Sequence, residues 1–374
     1  MQPQRSQRSP SQKKILLTIL SLCSLCSFWR SNISFAQEAP KEPLEEVTQL
    51  TTGFSRAGEG YFSPDMKWII FQAVPPAQEH YQMYIARLHL AEGKSPAIDT
   101  PIRISPEKSR NTCGYFSPDG KSLIFASTTG KEKPDDPTGG YQRQGRSYVW
   151  SFPTGMEIFR FDDWQEAVAN AKAGGIVDLA KHPLTNNDVY DAEGSFSPDG
   201  KFICFTRGGG KDADIYVMKS DGSDQKTPIR ITTAPGYDGG PFFSPDGKRL
   251  VYRSDRKSND LLQVFVADLA FDSVGQITGA SQEHQLTNDG NVNWGPYWHP
   301  AGKHLIYATS AHGHANYELY LMRDDGSQKT RVTYKEGADV LPVFSPDGKY
   351  LMWTTKRTPD NTTQLFIAKF KIAQ

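Results

Sequence analysis

The sequence predicts an all-β fold, a six-bladed β-propeller of four-stranded antiparallel blades, and three observations carry that prediction. One short phrase recurs six times: FSPDMK at 62–67, FSPDGK at 116–121, 196–201, 243–248 and 344–349, and WHPAGK at 298–303. Its prolines, at 64, 118, 198, 245, 300 and 346, stand 46 to 80 residues apart, the period range of small β-sheet units arranged in a ring. Each copy is followed by the same order of apolar segments. Finally, VTQLTTG (47–53) reads as a closing strand without a blade, whereas the last unit ends at FIAKF (366–370) without a closing strand. A ring closed by the N-terminal strand joining the C-terminal blade accounts for both ends.

Taken in chain order, the first element is a leader. Arg5, Arg8, Lys13 and Lys14 precede the apolar run ILLTILSLCSLCSFW (15–29), and Ser34-Phe35-Ala36 offers a small-x-small cleavage site before Gln37. The run is shorter than the roughly 20 residues that cross a bilayer, so residues 1–36 are expected to be a secretory signal peptide and the mature chain to have no transmembrane span. Cys23 and Cys26 each follow Leu rather than a small residue, which disfavours lipid attachment. Residues 37–44 form a short linker and 45–374 the propeller. Only Cys113 and Cys204 then remain, too few for a disulfide framework.

The phrase itself is a turn between the first two strands of each blade. Pro presets φ at the second turn position, Asp bonds back to nearby backbone, Gly takes the left-handed conformation and Lys starts the return strand. Met66 is the weak copy, because a Cβ is costly at positive φ. The second strands follow as WIIF, SLIF, FICF, RLVY, HLIY and YLMW, and the third as QMYIARL, MEIFRFD, DIYVMKS, LQVFVAD, YELYLMR and QLFIAKF. Short fourth strands appear as HPLT, IRIT, HQLT and TRVT. One insertion departs from the pattern: DDWQEAVANAKAGG (162–175) reads as a helix with Asp162 or Asp163 as cap, Trp164, Val168 and Ala171 on one face and Gly174 as its stop.

These residues resemble the TolB-like, WD-repeat-like propeller family over about residues 45–370. The resemblance implies the propeller fold, but similar propellers serve as periplasmic binding modules, as gating domains of prolyl-oligopeptidase-type enzymes and in some polysaccharide lyases. Between Ala36 and the first strand there is no room for the additional N-terminal domain of the family's envelope members, which puts a role in the same complex in question.

Candidate chemistry lies at one mouth of the channel. Five positions before the phrase's aromatic stand Ala57, Asn111, Asp191, Asp238, Asn293 and Asp339, beginning the innermost strand of each blade. Such a ring suits calcium, another divalent cation or a basic side chain; alternatively, Asp and Asn cap the turn into each strand. No other cofactor is expected. A second column, Gln82, Glu157, Asp214, Gln263, Glu318 and Gln364, reads as inter-blade hydrogen bonding. The variable connections between second and third strands share the ring's face and carry Arg143, Arg146, Tyr148, Trp150, Arg253, Arg256, Lys257 and Arg357, residue types that make protein or anion contacts. His312 and His314 supply two ligands of a zinc or manganese site whose third the sequence does not identify.

Lysine plus arginine balances aspartate plus glutamate at 42 each, with no long run of like charge, so nucleic acid is not an expected partner. G-x-S-x-G, H-E-x-x-H, the P-loop and G-x-G-x-x-G are all missing. The expectation is a periplasmic or secreted, monomeric, non-enzymatic module binding an envelope protein or peptide, with Asn111, Asp191, Asp238, Asn293, Asp339, Arg253, Arg256 and Trp150 as binding residues. The resemblance leaves one alternative, a metal-dependent carbohydrate-active enzyme like the oligogalacturonide lyases, using His312, His314 and the channel carboxylates.

Overall fold

The computed structural model describes residues 43–131, 140–144, 147–209, 212–257 and 260–372, with the hairpin between 140 and 151 described by its backbone. Six inner strands, Arg56–Phe62, Asn111–Phe116, Tyr190–Phe196, Asp238–Phe243, Asn293–Trp298 and Asp339–Phe344, begin blades 1 to 6. From each the chain returns through antiparallel second and third strands outward to an edge. The second strands are the core: Ile69, Ile70 and Phe71, Leu123 and Ile124, Ile203, Cys204 and Phe205, and Leu351, Met352 and Trp353 are all inaccessible. Each blade is sandwiched between two others, so both faces of its second strand are apolar and the sequence there runs without polar alternation.

The ring closes as expected, with a small shift in boundary. The N-terminal strand is Leu44–Gln49, and it pairs antiparallel with Gln364–Phe370 of blade 6, Leu44 opposite Phe370 and Gln49 opposite Phe366. Just beyond it the Thr51 hydroxyl accepts from Leu365 N at 2.9 Å and donates to Gln364 Oε1 at 2.8 Å. The equivalent hydroxyl in each other blade, Ser105, Thr185, Thr232, Thr287 or Thr333, accepts the N–H one residue after the second column. A residue of the N-terminus therefore fills the position that each other blade fills from its own fourth strand.

The six phrases form one face, called the turn face below. In five copies the Ser hydroxyl donates to the Asp carboxylate two residues on, at 2.5 to 2.7 Å, and accepts the N–H five residues on at 2.9 Å. Gly120, Gly200, Gly247, Gly302 and Gly348 take φ between 70° and 74°, and Met66 is forced to 57°. In blade 5, His299 replaces Ser, and its Nδ1 accepts from Ala301 N at 3.2 Å.

Blade 2 departs most from the repeat. Its helix is only Trp164–Ala169, and neither expected cap forms: Asp163 is left-handed without a side-chain cap bond, and Asp162 turns instead to Arg160 and Ser122. Tertiary packing holds the helix. Trp164 Nε1 donates to Gly120 O at 3.0 Å, and its ring lies 5.3 Å from that of Trp68 and 5.4 Å from that of Phe116. The chain after the helix then runs back beside blade 1, where Arg103 N donates to Gly175 O and Val177 N to Arg103 O. Blades 1 and 2 are thereby stitched together by backbone bonds.

Candidate functional site at the loop-face mouth

All six members of the first column are buried at the start of their inner strands. The carboxylates are not left facing one another across water, because each meets a guanidinium of its own blade. Asp191 accepts from Arg207 Nε and Nη2 at 2.7 Å each and from Asn187 Nδ2 at 2.6 Å. Asp339 accepts from Arg357 Nε at 3.1 Å and Nη2 at 2.5 Å, and from Trp353 Nε1 at 3.1 Å. Asp238 Oδ2 accepts from Arg256 Nη2 at 3.1 Å, and burial pushes this carboxyl up to about 6 despite the guanidinium. Arg256 also reaches Glu283 and Tyr252.

The two amides use a different partner. Asn111 Nδ2 donates to Gln82 Oε1 of blade 1, and Asn293 Nδ2 to Gln263 Oε1 of blade 4, each at 3.1 Å. Those two members of the second column cross between blades, as expected. Glu157, Asp214 and Glu318 instead bond within their blades, to Lys131 and Thr185, to Arg230 and Thr232, and to Arg331 and Thr333. Carboxylates favour the fixed cation beside them, whereas amides are free to exchange hydrogen bonds with another amide.

Sequence reasoning missed the deepest part of the site. Three positions before each phrase aromatic stand Glu59, Cys113, Glu193, Gly240, Gly295 and Leu341, and all six have positive φ, from 49° to 62°. Each marks a β-bulge, seen as a register shift in every inner strand, that turns the residue toward the propeller axis. These residues line an axial cavity of 20 Å³, room for about one water molecule. Glu193 accepts from Thr206 Oγ1, Tyr237 Oη, Gly240 N and Arg253 Nη2. Arg253, a loop-contact candidate in the sequence, is 8% exposed and belongs to this cluster, stacked between Tyr237 and Trp294.

Glu59 has weaker support, from the Cys113 thiol and from Tyr61 Oη at 3.4 Å; burial pushes its carboxyl up to about 7. Burial likewise raises the Cys113 thiol. Below the cavity the axis is filled by Tyr61, Tyr115, Phe242 and Tyr297, with the Tyr115 and Tyr297 hydroxyls 3.1 Å apart. Beyond this plug a separate funnel of 330 Å³ opens on the turn face, lined by the six phrase prolines. Toward the loop face Phe152 packs 4.5 Å from Tyr190 and 5.5 Å from Tyr237 by ring centroids.

Trp150, Tyr148, Arg143 and Arg146 lie outside the residues whose side chains are described. His312 Nε2 lies 2.8 Å from Tyr320 Oη and its Nδ1 3.4 Å from Arg331 Nη1, while His314 packs beside Tyr317. No group of three His, Cys, Asp or Glu side chains suited to a metal occurs among the described residues. Cys113 and Cys204 are both free thiols.

No family model matches the chain. A TolB homolog of Chlorobium luteolum is 35% identical over 145 residues, 38% of this chain and 29% of that protein. The chain spans between 29% and 54% of the length of the first curated relatives it matches. Among solved structures, a putative TolB from Agrobacterium tumefaciens matches with a TM-score of 0.50 at 19% identity, over 84% of this chain and 91% of the other. An oligogalacturonate lyase from Vibrio parahaemolyticus matches with the same TM-score at 11% identity, over 86% and 93%. Likeness at this level extends to proteins of different activity, so it establishes the architecture and leaves function to the site.

Proposed function

We propose that this six-bladed β-propeller, similar to TolB propellers, is a periplasmic or secreted, non-enzymatic module that binds an envelope protein or peptide on its loop face. The observation that carries this reading is the asymmetry of the two faces. On the turn face five blades end in the same hydrogen-bonded turn, whereas on the loop face six connections of different length and sequence gather around one rigid mouth. Variable loops on a rigid scaffold are where binding specificity is built, because loop changes there do not disturb the core. The leader-like first 36 residues and the missing catalytic motifs support the same reading.

The guanidinium–carboxylate pairs fit it as well. Arg207, Arg256 and Arg357 are anchored by buried aspartates, so the rim they support is held in place before a partner arrives and less ordering entropy is lost on binding. The test is capture from envelope extract by the wild-type protein and by two variants, Lys257→Glu on the loop face and Lys201→Glu on the turn face. Both lysines are exposed. Loss of the captured partner in the first variant alone is the expected result; loss in the second alone, or in neither, contradicts the assignment.

A further inference from the structure

The axial cavity contains three charged side chains from three blades: Glu59 from blade 1, Glu193 from blade 3 and Arg253 from blade 4. Their hydrogen bonding is unequal. Glu193 holds four donors, including Arg253 Nη2 at 2.9 Å, whereas Glu59 meets the weak donor of the Cys113 thiol and a long contact to Tyr61. Arg253 itself is only half used, because its buried Nε meets no acceptor among the described residues. An under-bonded carboxylate and an under-bonded guanidinium thus share one enclosed space.

We propose that these three residues form a proton-operated latch on the propeller axis. With Glu59 protonated, Arg253 and Glu193 neutralise each other and the cavity carries no net charge. With Glu59 ionised, two carboxylates compete for one guanidinium, Arg253 is drawn toward blade 1, and one negative charge is left uncompensated beneath the loop-face mouth. The state of one proton therefore sets both which blades the guanidinium ties together and the charge that a group entering the mouth would meet.

The groups facing Glu59 are consistent with this assignment. Glu193 opposes its ionisation, Arg253 favours it, and Cys113 and Tyr61 offer it hydrogen bonds. The other surrounding titratable groups, Tyr81 and Tyr190, have hydroxyls pushed upward by burial, so they stay neutral while Glu59 titrates. Desolvation is the largest influence on Glu59 and brings its carboxyl from 4.5 to about 7, inside the range where a periplasmic or extracellular protein experiences changes in pH.

Because the folded protein holds the Glu59 proton more tightly than the unfolded chain does, this group's contribution to stability is greatest at about pH 4.5 and below. It is lost as pH rises toward 7.

The decisive experiment is a carbon-13 NMR titration of the Glu59 side-chain carboxyl in the full chain, assigned by its loss in Glu59→Gln, combined with thermal midpoints from pH 5 to 8.5. The expected result is titration near pH 7 and a wild-type midpoint that falls as pH rises from 5 toward 7 and levels off above it. Glu59→Gln should abolish the fall and melt higher at pH 8. Glu193→Gln should move the Glu59 titration down by a unit or more, because it releases Arg253. A Glu59 that titrates below pH 5, or identical pH profiles for wild type and Glu59→Gln, overturns the latch. An unmoved Glu59 titration in a folded Glu193→Gln overturns the shared guanidinium; if that variant does not fold, the wild-type titration and Glu59→Gln decide alone.

Discussion

The turn face and the loop face are built by the same six blades, yet they solve their polar problems in opposite ways. On the turn face the solution is local and repeated: a Ser hydroxyl and an Asp carboxylate, two residues apart, satisfy the backbone of their own turn five times over. On the loop face the six equivalent positions carry three different side chains with partners drawn from different places. Arg207 stands directly opposite Asp191 in the ladder, but Arg256 and Arg357 lie two residues beyond the residues opposite Asp238 and Asp339. Repetition marks the face that only has to hold shape; variation marks the face free to acquire specificity.

Deletions and single substitutions on each face break or sharpen that contrast. The largest removes what both faces depend on: deleting residues 44–51 takes away the outer strand of blade 6 and the Thr51 hydroxyl, and should cost on the order of 5 kcal/mol or more, a large part of a domain's stability. Thermal melting is expected to show loss of the cooperative transition. Deleting 132–150 is expected to leave that transition nearly in place, since the insertion connects strands already paired within blade 2. A wider cut through 128–155 should cost more, because it removes buried Phe152 and the Lys131 partner of Glu157.

Next comes the loop face alone. Asp339→Asn leaves the Arg357 guanidinium without its buried counter-charge and should cost about 3 kcal/mol by denaturant unfolding. On the turn face, Ser197→Ala, Ser244→Ala and Ser345→Ala should each cost about 1 kcal/mol and agree with one another, since each removes the same two hydrogen bonds. Unequal costs there would break the contrast. Met66→Gly, which relieves a left-handed Cβ, should stabilise by about 0.5 to 1 kcal/mol.

The smallest expected effect concerns Asp238. Its Oδ2 is paired with Arg256, and its carboxyl sits at about 6. Above that pH the folded state carries an ionised group that burial disfavours, so Asp238→Asn should change stability little at pH 7, and millimolar calcium should shift the melting of wild type and variant alike by no more than a degree or two. A calcium-induced rise of many degrees that Asp238→Asn abolishes would mark this carboxylate as an ion ligand.

Legibility followed the same division. The repeated turns of the turn face could be read from the sequence because their hydrogen bonds close within six residues, so the phrase FSPDGK contains both donor and acceptor. The ring closure was readable because an orphan strand at one end matched a missing strand at the other. On the loop face the position of the Asp and Asn column was readable, whereas its partners were not: the connecting loops differ in length, and no fixed offset marks the right arginine. The axial ring of Glu59, Cys113 and Glu193 was overlooked although a signal existed. Aligning the copies at three residues before the phrase aromatic puts Gly240 and Gly295 in that column, the residue type that a left-handed bulge favours. The helix was misread at its cap because packing of Trp164 against Trp68 and Phe116, rather than a local carboxylate, fixes its start.

The claim that binding belongs to the loop face is tested most directly by photocrosslinking in envelope extract, with a benzophenone side chain placed in turn at Lys257 and Lys356 on the loop face and at Lys201 and Lys248 on the turn face, all four exposed. The account predicts a common crosslinked species from the two loop-face positions and none from the turn-face pair. The same species crosslinked from Lys201 and Lys248, with none from Lys257 and Lys356, would contradict it.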